Sequence, residues 1–356
     1  MGYSKLKAIR FYDKNDIRLE DIPIPDLDKN EVLIKVKKVA ITQTLANEYF
    51  YGPYITKQSL PLIPGHSFGG IIVKVGEKVD KNLIGKWVSV LPLISCGKCS
   101  YCKAGYDNLC NNLKYYGLIK QDGGLAEYVK VNIDNIFVLD KNNIDKTTFI
   151  EPLLIAMNIF DEATSRYKYK FPNKNSMNIL ILGAGAIGFL TSLVWNIFRK
   201  EDNIFINDLF LSRLEKLKDV MILNSVYNIN FIEKEYIKRE HFDIVIDTAG
   251  FEPLAFEPAI QEGFKYLSRG GCLVSASLYY NRIELNQGEI LLNSRSILTT
   301  IFYRKQLIRN LPEVLSKLKL DFSKVISKID MKDVLSKGFY KAHIDKEEFI
   351  RLEVEC

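Results

Sequence analysis

Four cysteines, Cys96, Cys99, Cys102 and Cys110, stand in the run SCGKCSYCKAGYDNLC with the pattern C-x2-C-x2-C-x7-C. Thiolates at this spacing, interleaved with Gly97, Lys98, Ser100, Tyr101 and Gly105, can close around one tetrahedral Zn²⁺ and leave no position open. That is the chemistry of a structural metal site. Four ordinary free thiols are the competing reading, but four of the chain's six cysteines fall within these fifteen residues. Disulfides are the other, and they need an oxidising compartment. The N-terminal run MGYSKLKAIRFYDKNDIRLE has no apolar h-region, so no signal peptide and a cytoplasmic location are expected.

A second constellation, ILILGAGAIGFL, places Gly183, Gly185 and Gly188 as G-x-G-x-x-G after an apolar strand and at the opening of an apolar helix. The first glycine suits a tight turn, the second lets the backbone approach a pyrophosphate, and the third lets helix and strand pack closely. The helix N-terminus offers free N–H groups and a partial positive charge to the phosphates. The next strand pattern, NIFIND, ends at Asp208, twenty residues after Gly188. A carboxylate there accepts from a ribose 2′-OH and repels a 2′-phosphate, which favours NAD over NADP. Asp208 could equally cap the helix that follows, and Arg213 could stack on adenine or meet a phosphate.

These groups need elements to hold them. At 356 residues, with 47% hydrophobic and 26% charged residues, the chain has the composition of a soluble globular protein of two domains. The formal charge of +6, from 49 basic and 43 acidic residues, is interspersed as in DKNDIRLEDIPIPDLDKNE. That pattern predicts a solvated surface and no nucleic-acid partner, and anionic substrates are only mildly favoured. No stretch reaches the roughly 18 uninterrupted apolar residues of a membrane span, so no membrane partner is expected.

The first 150 residues read as short β-branched runs bounded by turn residues, among them VLIKVKKVAI, GGIIVKVGEKV and LAEYVKV, which predicts an antiparallel, barrel-like domain. A polar stretch at 166–175 then changes the texture. Beyond it NILIL, AIGFLTSLVWNIFRK, NIFIND, LSRLEKLKDVM, FDIVIDTAG and CLVSASL alternate strand with helix, which predicts a doubly wound parallel sheet. After about Leu285 the pattern is mixed, with SILTTIF read as an edge strand or an internal one.

Together these motifs make the chain resemble the zinc-containing medium-chain dehydrogenase/reductases, the alcohol, polyol and threonine dehydrogenase family. The likeness covers the whole length. It rests on PGHSFGGIIVKVGEKV, the four-cysteine lobe, DGGLAEYV at 122–129, EPL at 151–153, GAGAIG and DLFLSRLEKL. The resemblance implies an α/β plus β fold, a GroES-like catalytic domain with an inserted Rossmann domain. We expect the catalytic domain over 1–155, the Rossmann domain over 156–290 and a return segment over 291–356. It further implies NAD(P)-linked interconversion of an alcohol and a carbonyl, with homodimers or homotetramers.

The family's catalytic zinc is where this sequence departs. Where the family pattern has the cysteine of C-G-[ST]-D, this chain has Thr42-Gln43-Thr44-Leu45, and in place of G-H-E it has Gly65-His66-Ser67. His66 and Glu151 remain, which falls short of three protein ligands. No tightly bound catalytic Zn²⁺ is therefore expected, although a weak site rebuilt with Glu48, Tyr49 or a substrate oxygen stays open.

Without a Lewis acid, a hydrogen-bond donor has to polarise the substrate oxygen. Thr44 stands at the family's proton-relay hydroxyl; His66 could donate or accept a proton, and Glu151 could orient it or act as a base. Each has a plainer alternative: packing for Thr44, a structural turn for His66 and a helix cap for Glu151. His241 and His343 read as surface residues. The sequence thus points to a NAD(H)-dependent oxidoreductase acting on a small polar alcohol or polyol, possibly sugar- or phosphate-bearing. Its rivals are a reductase of a polarised C=C or C=N bond and a non-catalytic nucleotide-binding protein.

Overall fold

A computed structural model describes residues 5–223, 229–252 and 255–356 and divides the chain into two compact units. The first comprises Met1–Pro152 and Ile326–Cys356. Its hub is the strand Glu31–Ile41, whose sequence EVLIKVKKVAI buries Val32, Leu33, Ile34, Val36, Val39, Ala40 and Ile41. This strand pairs antiparallel with Phe68–Val75, with Tyr128–Asn132 and with Arg351–Glu355. The last strand of the chain thereby pairs directly with the hub, Val354 standing opposite Val39. The sheet continues through Trp87–Val90 to Ile136–Val138 on one side, and through Arg351–Glu355 to the parallel strand Ile326–Asp330 on the other.

The cysteine lobe leaves this unit after Leu93–Ile94 and returns at Lys114–Tyr116; the two segments pair antiparallel, Leu93 opposite Tyr115.

The second unit, Leu153–Val325, holds a six-stranded, all-parallel sheet. Its strands are β1 (Asn178–Leu182), β2 (Asn203–Asn207), β3 (Ile229–Phe231), β4 (Phe242–Asp247), β5 (Leu267–Ser275) and β6 (Ser296–Thr299). They lie in the order β3-β2-β1-β4-β5-β6, the doubly wound arrangement in which strand order reverses between β1 and β4. The central strands are buried on both faces, as parallel strands covered by helices must be: every residue of FDIVID in β4 is buried, its two aspartates included.

Two sequence expectations change here. The boundary placed at 290/291 moves to 325/326, because SILT is not part of the return but extends the second unit's sheet as β6, parallel to β5 and at its edge. The helix Leu311–Lys317 stays in the same unit and buries Leu311 and Val314. The first boundary, placed at 155/156, falls at Pro152/Leu153. It lies near the start of the helix Ile150–Lys170, so the first half of the polar stretch at 166–175 is the end of a 21-residue helix.

Candidate functional site

The four lobe cysteines meet. Their sulfur atoms all lie within 4.8 Å of one another, and among the described residues they are the one group of three or more His, Cys, Asp or Glu side chains that converges in this way. Cys96 and Cys102 have sulfurs 4.0 Å apart, and Cys99 and Cys102 3.5 Å. Tetrahedral coordination at Zn–S of about 2.3 Å sets sulfurs about 3.8 Å apart, so the donor set fits Zn²⁺. Backbone amides are already aimed at the sulfurs: Cys96 N and Asn112 N donate to Cys110 Sγ at 3.2 and 3.4 Å. Hydrogen bonds from the Lys98 and Cys99 amides pull the Cys96 thiol down to about 6. Burial and the neighbouring Cys99 and Cys110 push the Cys102 thiol up to about 12, a conflict that a bound cation relieves.

In the second unit the three glycines behave differently. Gly183 sits at φ +100°, open to glycine and costly for other residues, and a Cβ there would lie 2.7 Å from Ala249 N. A Cβ on Gly188 would lie 1.8 Å from Gly183 O, so helix and loop touch backbone to backbone. Around Gly185, the N-cap of the helix Ala186–Phe198, no atom of the described residues beyond its chain neighbours lies within 4 Å of where its Cβ would be. That open space before a helix N-terminus leaves room for an anionic group to approach the helix amides.

Asp208, 8% exposed, accepts from Ala184 N at 2.6 Å and from Phe210 N at 2.9 Å, tying the end of β2 to the glycine loop. The Arg213 guanidinium lies 3.6 Å from Asp208 and 5.5 Å from the centre of the Phe210 ring. Asp208 therefore caps the following turn while standing where a ribose binder is expected.

In the first unit His66, Ser67 and Glu151 come together. Ser67 Oγ donates to Glu151 Oε2 at 2.7 Å, and Tyr115 OH donates to Glu151 Oε1 at 2.8 Å. Both carboxylate oxygens are thus held by hydroxyls, so Glu151 serves as the centre of a buried network rather than as a helix cap. The His66 ring lies 6.1 Å from that of Tyr115, and its Nδ1 is buried with no hydrogen-bond partner among the described residues. Arg351 is buried as well, with Nη2 donating to Thr148 O at 2.5 Å. Burial lowers its pKa to about 10 against the pull of Glu151 and Glu353, leaving a full cation at neutral pH. Burial also depresses the pKa of His66; the Glu151 carboxylate opposes this and Arg351 adds to it. Burial and the Arg351 cation thus favour the neutral imidazole over the imidazolium.

Among the described residues the remaining groups form no second metal ligand set. Thr42 is the N-cap of the helix Gln43–Phe50, its hydroxyl accepting from Leu45 N at 3.2 Å. Glu48, raised above as a substitute ligand, is fully buried and accepts from the backbone N–H groups of Tyr54, Ile55 and Thr56 and from Thr56 Oγ1. It pins the 54–56 turn. Tyr49 packs its ring on Phe50 and Phe339. One imidazole and a hydroxyl-bound carboxylate do not fit the three-ligand pattern of a catalytic zinc.

Thr44 lies half-buried in the first turn of the helix Gln43–Phe50 and not at a strand end. His241 is exposed as expected, but His343 is half-buried, its Nε2 2.9 Å from Tyr51 OH and its ring stacked 4.7 Å from Phe50. Sequence reasoning passed over Tyr115 and Arg351. The one available signal for Tyr115 was its place five residues after the last lobe cysteine, where the returning strand must pair.

The depressed pKa of His66 has a measurable consequence. In the unfolded chain this histidine protonates near pH 6.5, whereas the folded protein resists protonation until lower pH. Below pH 6.5 the unfolded state binds more protons, so the stabilisation from His66 is present above that pH and is lost as pH falls. The stability difference between wild type and His66→Gln should shrink between pH 7 and pH 5, by at most about 1.4 kcal/mol per pH unit. Denaturant melts of both proteins at each pH read it; a gap constant across that range would refute the neutral buried imidazole.

The chain has relatives among known proteins. Residues 28–141 match the model of the alcohol dehydrogenase GroES-like domain. The sorbitol dehydrogenase of Bacillus subtilis is 30% identical over 289 residues, covering 79% of this chain and 78% of that protein. The D-altritol 5-dehydrogenase of Agrobacterium fabrum is 28% identical over 323 residues, 89% of each chain. Among solved structures, an alcohol dehydrogenase of Escherichia coli CFT073 in complex with NADH superposes with a TM-score of 0.82 at 23% identity, over 99% of this chain and 100% of that one, and so shares the fold.

Proposed function

Because the chain belongs to the zinc-containing medium-chain dehydrogenase/reductase family, we propose that it is a NAD(H)-dependent oxidoreductase that interconverts a small polyol and its carbonyl form without a tightly bound catalytic zinc. The observation that carries this reading is the contrast between the open glycine cradle at Gly185 and the ligand-poor, hydroxyl-bound Glu151 beside His66. The polyol class follows the relatives, which act on sorbitol and D-altritol.

Bound in that cradle, NAD⁺ would supply the hydride acceptor for the carbinol carbon. The protein must then orient the alcohol and remove its hydroxyl proton. We assign contact with the substrate oxygen to the Thr44 hydroxyl and proton acceptance to the neutral His66 imidazole, with Glu151 and its donors Ser67 and Tyr115 fixing the surroundings of that ring. Gly183, Gly185 and Gly188 would seat the pyrophosphate, and Asp208 with Arg213 the adenosine ribose, NAD being preferred over NADP. Cys96, Cys99, Cys102 and Cys110 would hold one structural Zn²⁺. A cytoplasmic homodimer or homotetramer completes the proposal; among the described residues no helix is long and apolar enough to cross a membrane.

The test is NADH fluorescence titration together with turnover on a panel of polyols, their ketoses, aldehydes and enones. We expect NADH binding, turnover on at least one polyol–ketose pair, and a loss of about 10²-fold in kcat for His66→Ala and for Thr44→Ala with NADH affinity retained. Tight NADH binding with no turnover on any compound, indifferent to both substitutions, would identify a non-catalytic nucleotide binder; preference for enones would identify a C=C reductase.

A further inference from the structure

At the C-terminal end of β4, Asp247 is fully buried, and four donors converge on its carboxylate. Ser275 Oγ and Tyr279 OH each donate to Oδ2 at 2.9 Å; Ser277 Oγ donates to Oδ1 at 3.0 Å and Ala249 N to Oδ1 at 3.1 Å. A carboxylate offers about four acceptor sites, so this one is saturated. Three of the donors belong to the end of β5 and the segment that follows it. The same segment is stitched to the end of β4 through its backbone, with Ala276 N donating to Asp247 O at 3.0 Å and Phe251 N to Leu278 O at 3.2 Å. Tyr279 OH also accepts from Ile260 N at 3.2 Å, bringing the start of the helix Ala259–Tyr266 into the same cluster.

The neighbouring residue reaches the opposite way. Thr248 Oγ1 donates to Leu182 O and to Gly183 O, both at 3.0 Å, and so holds the glycine loop at the end of β1. Two consecutive residues thus fasten the loops on either side of the point where strand order reverses. In a doubly wound sheet a dinucleotide lies across that point at the C-terminal ends of the strands, one mononucleotide on each half. With Gly185 and Asp208 on the β1–β2 half, the nicotinamide mononucleotide falls to the half formed by β4, β5 and β6.

We propose that Asp247 is the positioning residue for the nicotinamide half of the cofactor: through Ser275, Ser277 and Tyr279 it fixes the 276–279 segment against which that half is seated. This rests on the NAD reading above. It predicts a division of labour in which loss of the clamp weakens contacts to the nicotinamide end and spares those to the adenine end. Asp247→Asn keeps the shape but replaces one acceptor oxygen with an N–H₂ donor. The Ala249 N–H cannot turn away, so the remaining oxygen must face it. The new amide then points at Ser275 and Tyr279, whose hydroxyl already accepts from Ile260.

The experiment compares NADH with ADP-ribose, which lacks the nicotinamide, in binding titrations on the full chain. For Asp247→Asn the NADH Kd should rise about tenfold or more while the ADP-ribose Kd stays within twofold. Ser277→Ala, a milder change at a half-buried position, should shift NADH about threefold in the same selective way and stands in if Asp247→Asn fails to fold. Equal weakening of both ligands, or no change in either, overturns the proposal and leaves Asp247 a purely architectural residue. Failure of the wild-type chain to bind NADH overturns the NAD reading instead, and this proposal with it.

Discussion

Gly185→Ala should fold like wild type yet lose NADH affinity by at least tenfold, whereas Gly188→Ala should be impaired in folding itself. The two glycines belong to one motif, but their surroundings differ in kind. Gly185 has φ −72°, which any residue adopts, and its missing Cβ points into space free of protein atoms for 4 Å. Alanine there gives up only a favourable N-cap residue, which costs under about 1 kcal/mol. Its methyl group would occupy the space where a pyrophosphate must approach the amides at the helix N-terminus, so the penalty falls on the ligand. At Gly188 the same methyl would sit 1.8 Å from Gly183 O and 2.7 Å from Thr248 Oγ1, far inside contact distance. The helix Ala186–Phe198 would have to lift off the loop, at a cost of about 3 kcal/mol or more. Melting temperature and NADH titration on both variants separate the effects. A Gly185→Ala protein that binds NADH like wild type would show that this loop does not carry the cofactor phosphates.

What could be read from the sequence was what is local along the chain. The cysteine lobe and the glycine loop each occupy one short run, and short runs fix their own geometry, so ligand spacing and turn requirement are visible in the letters. The surroundings of Glu151 are not local. Its two donors, Ser67 and Tyr115, stand 84 and 36 residues away, and Arg351 arrives from the far end of the chain on the strand that pairs with the hub. No pattern in Ser67 reveals that it replaces a carboxylate with a hydroxyl donor to another carboxylate. The sequence shows only that a ligand is gone. Glu48 is a subtler case: its partners are only six to eight residues on, yet whether it binds a metal or the backbone depends on a turn the sequence does not specify. The domain boundary moved for a similar reason, since SILT reads as a strand in isolation and only its parallel register with β5 assigns it to the second unit.

Purified from metal-depleted buffer, the wild-type chain should contain one zinc per chain, and Cys99→Ser should contain none. The stoichiometry follows from the donors: four sulfurs at coordination spacing in the lobe, against one imidazole and a carboxylate already held by two hydroxyls around His66. Two equivalents in the wild type would show that the His66 site gathers ligands after all. Losing the lobe metal should be felt beyond the lobe, because the returning strand Lys114–Tyr116 carries Tyr115, which is fully buried and donates to Glu151 Oε1 at 2.8 Å. The lobe's closing ligand, Cys110, stands just before that strand, so releasing it frees the chain that holds the phenol. With the metal bond gone, the folding free energy it supplies goes too. Cys99→Ser should therefore become open to protease within 96–110 and lose activity in parallel with Tyr115→Phe, while Tyr115→Phe keeps its zinc. If Cys99→Ser loses zinc yet retains full turnover, the lobe is mechanically independent of Glu151. In that case the hydrogen bond from Tyr115 does not depend on the metal that closes the loop before it.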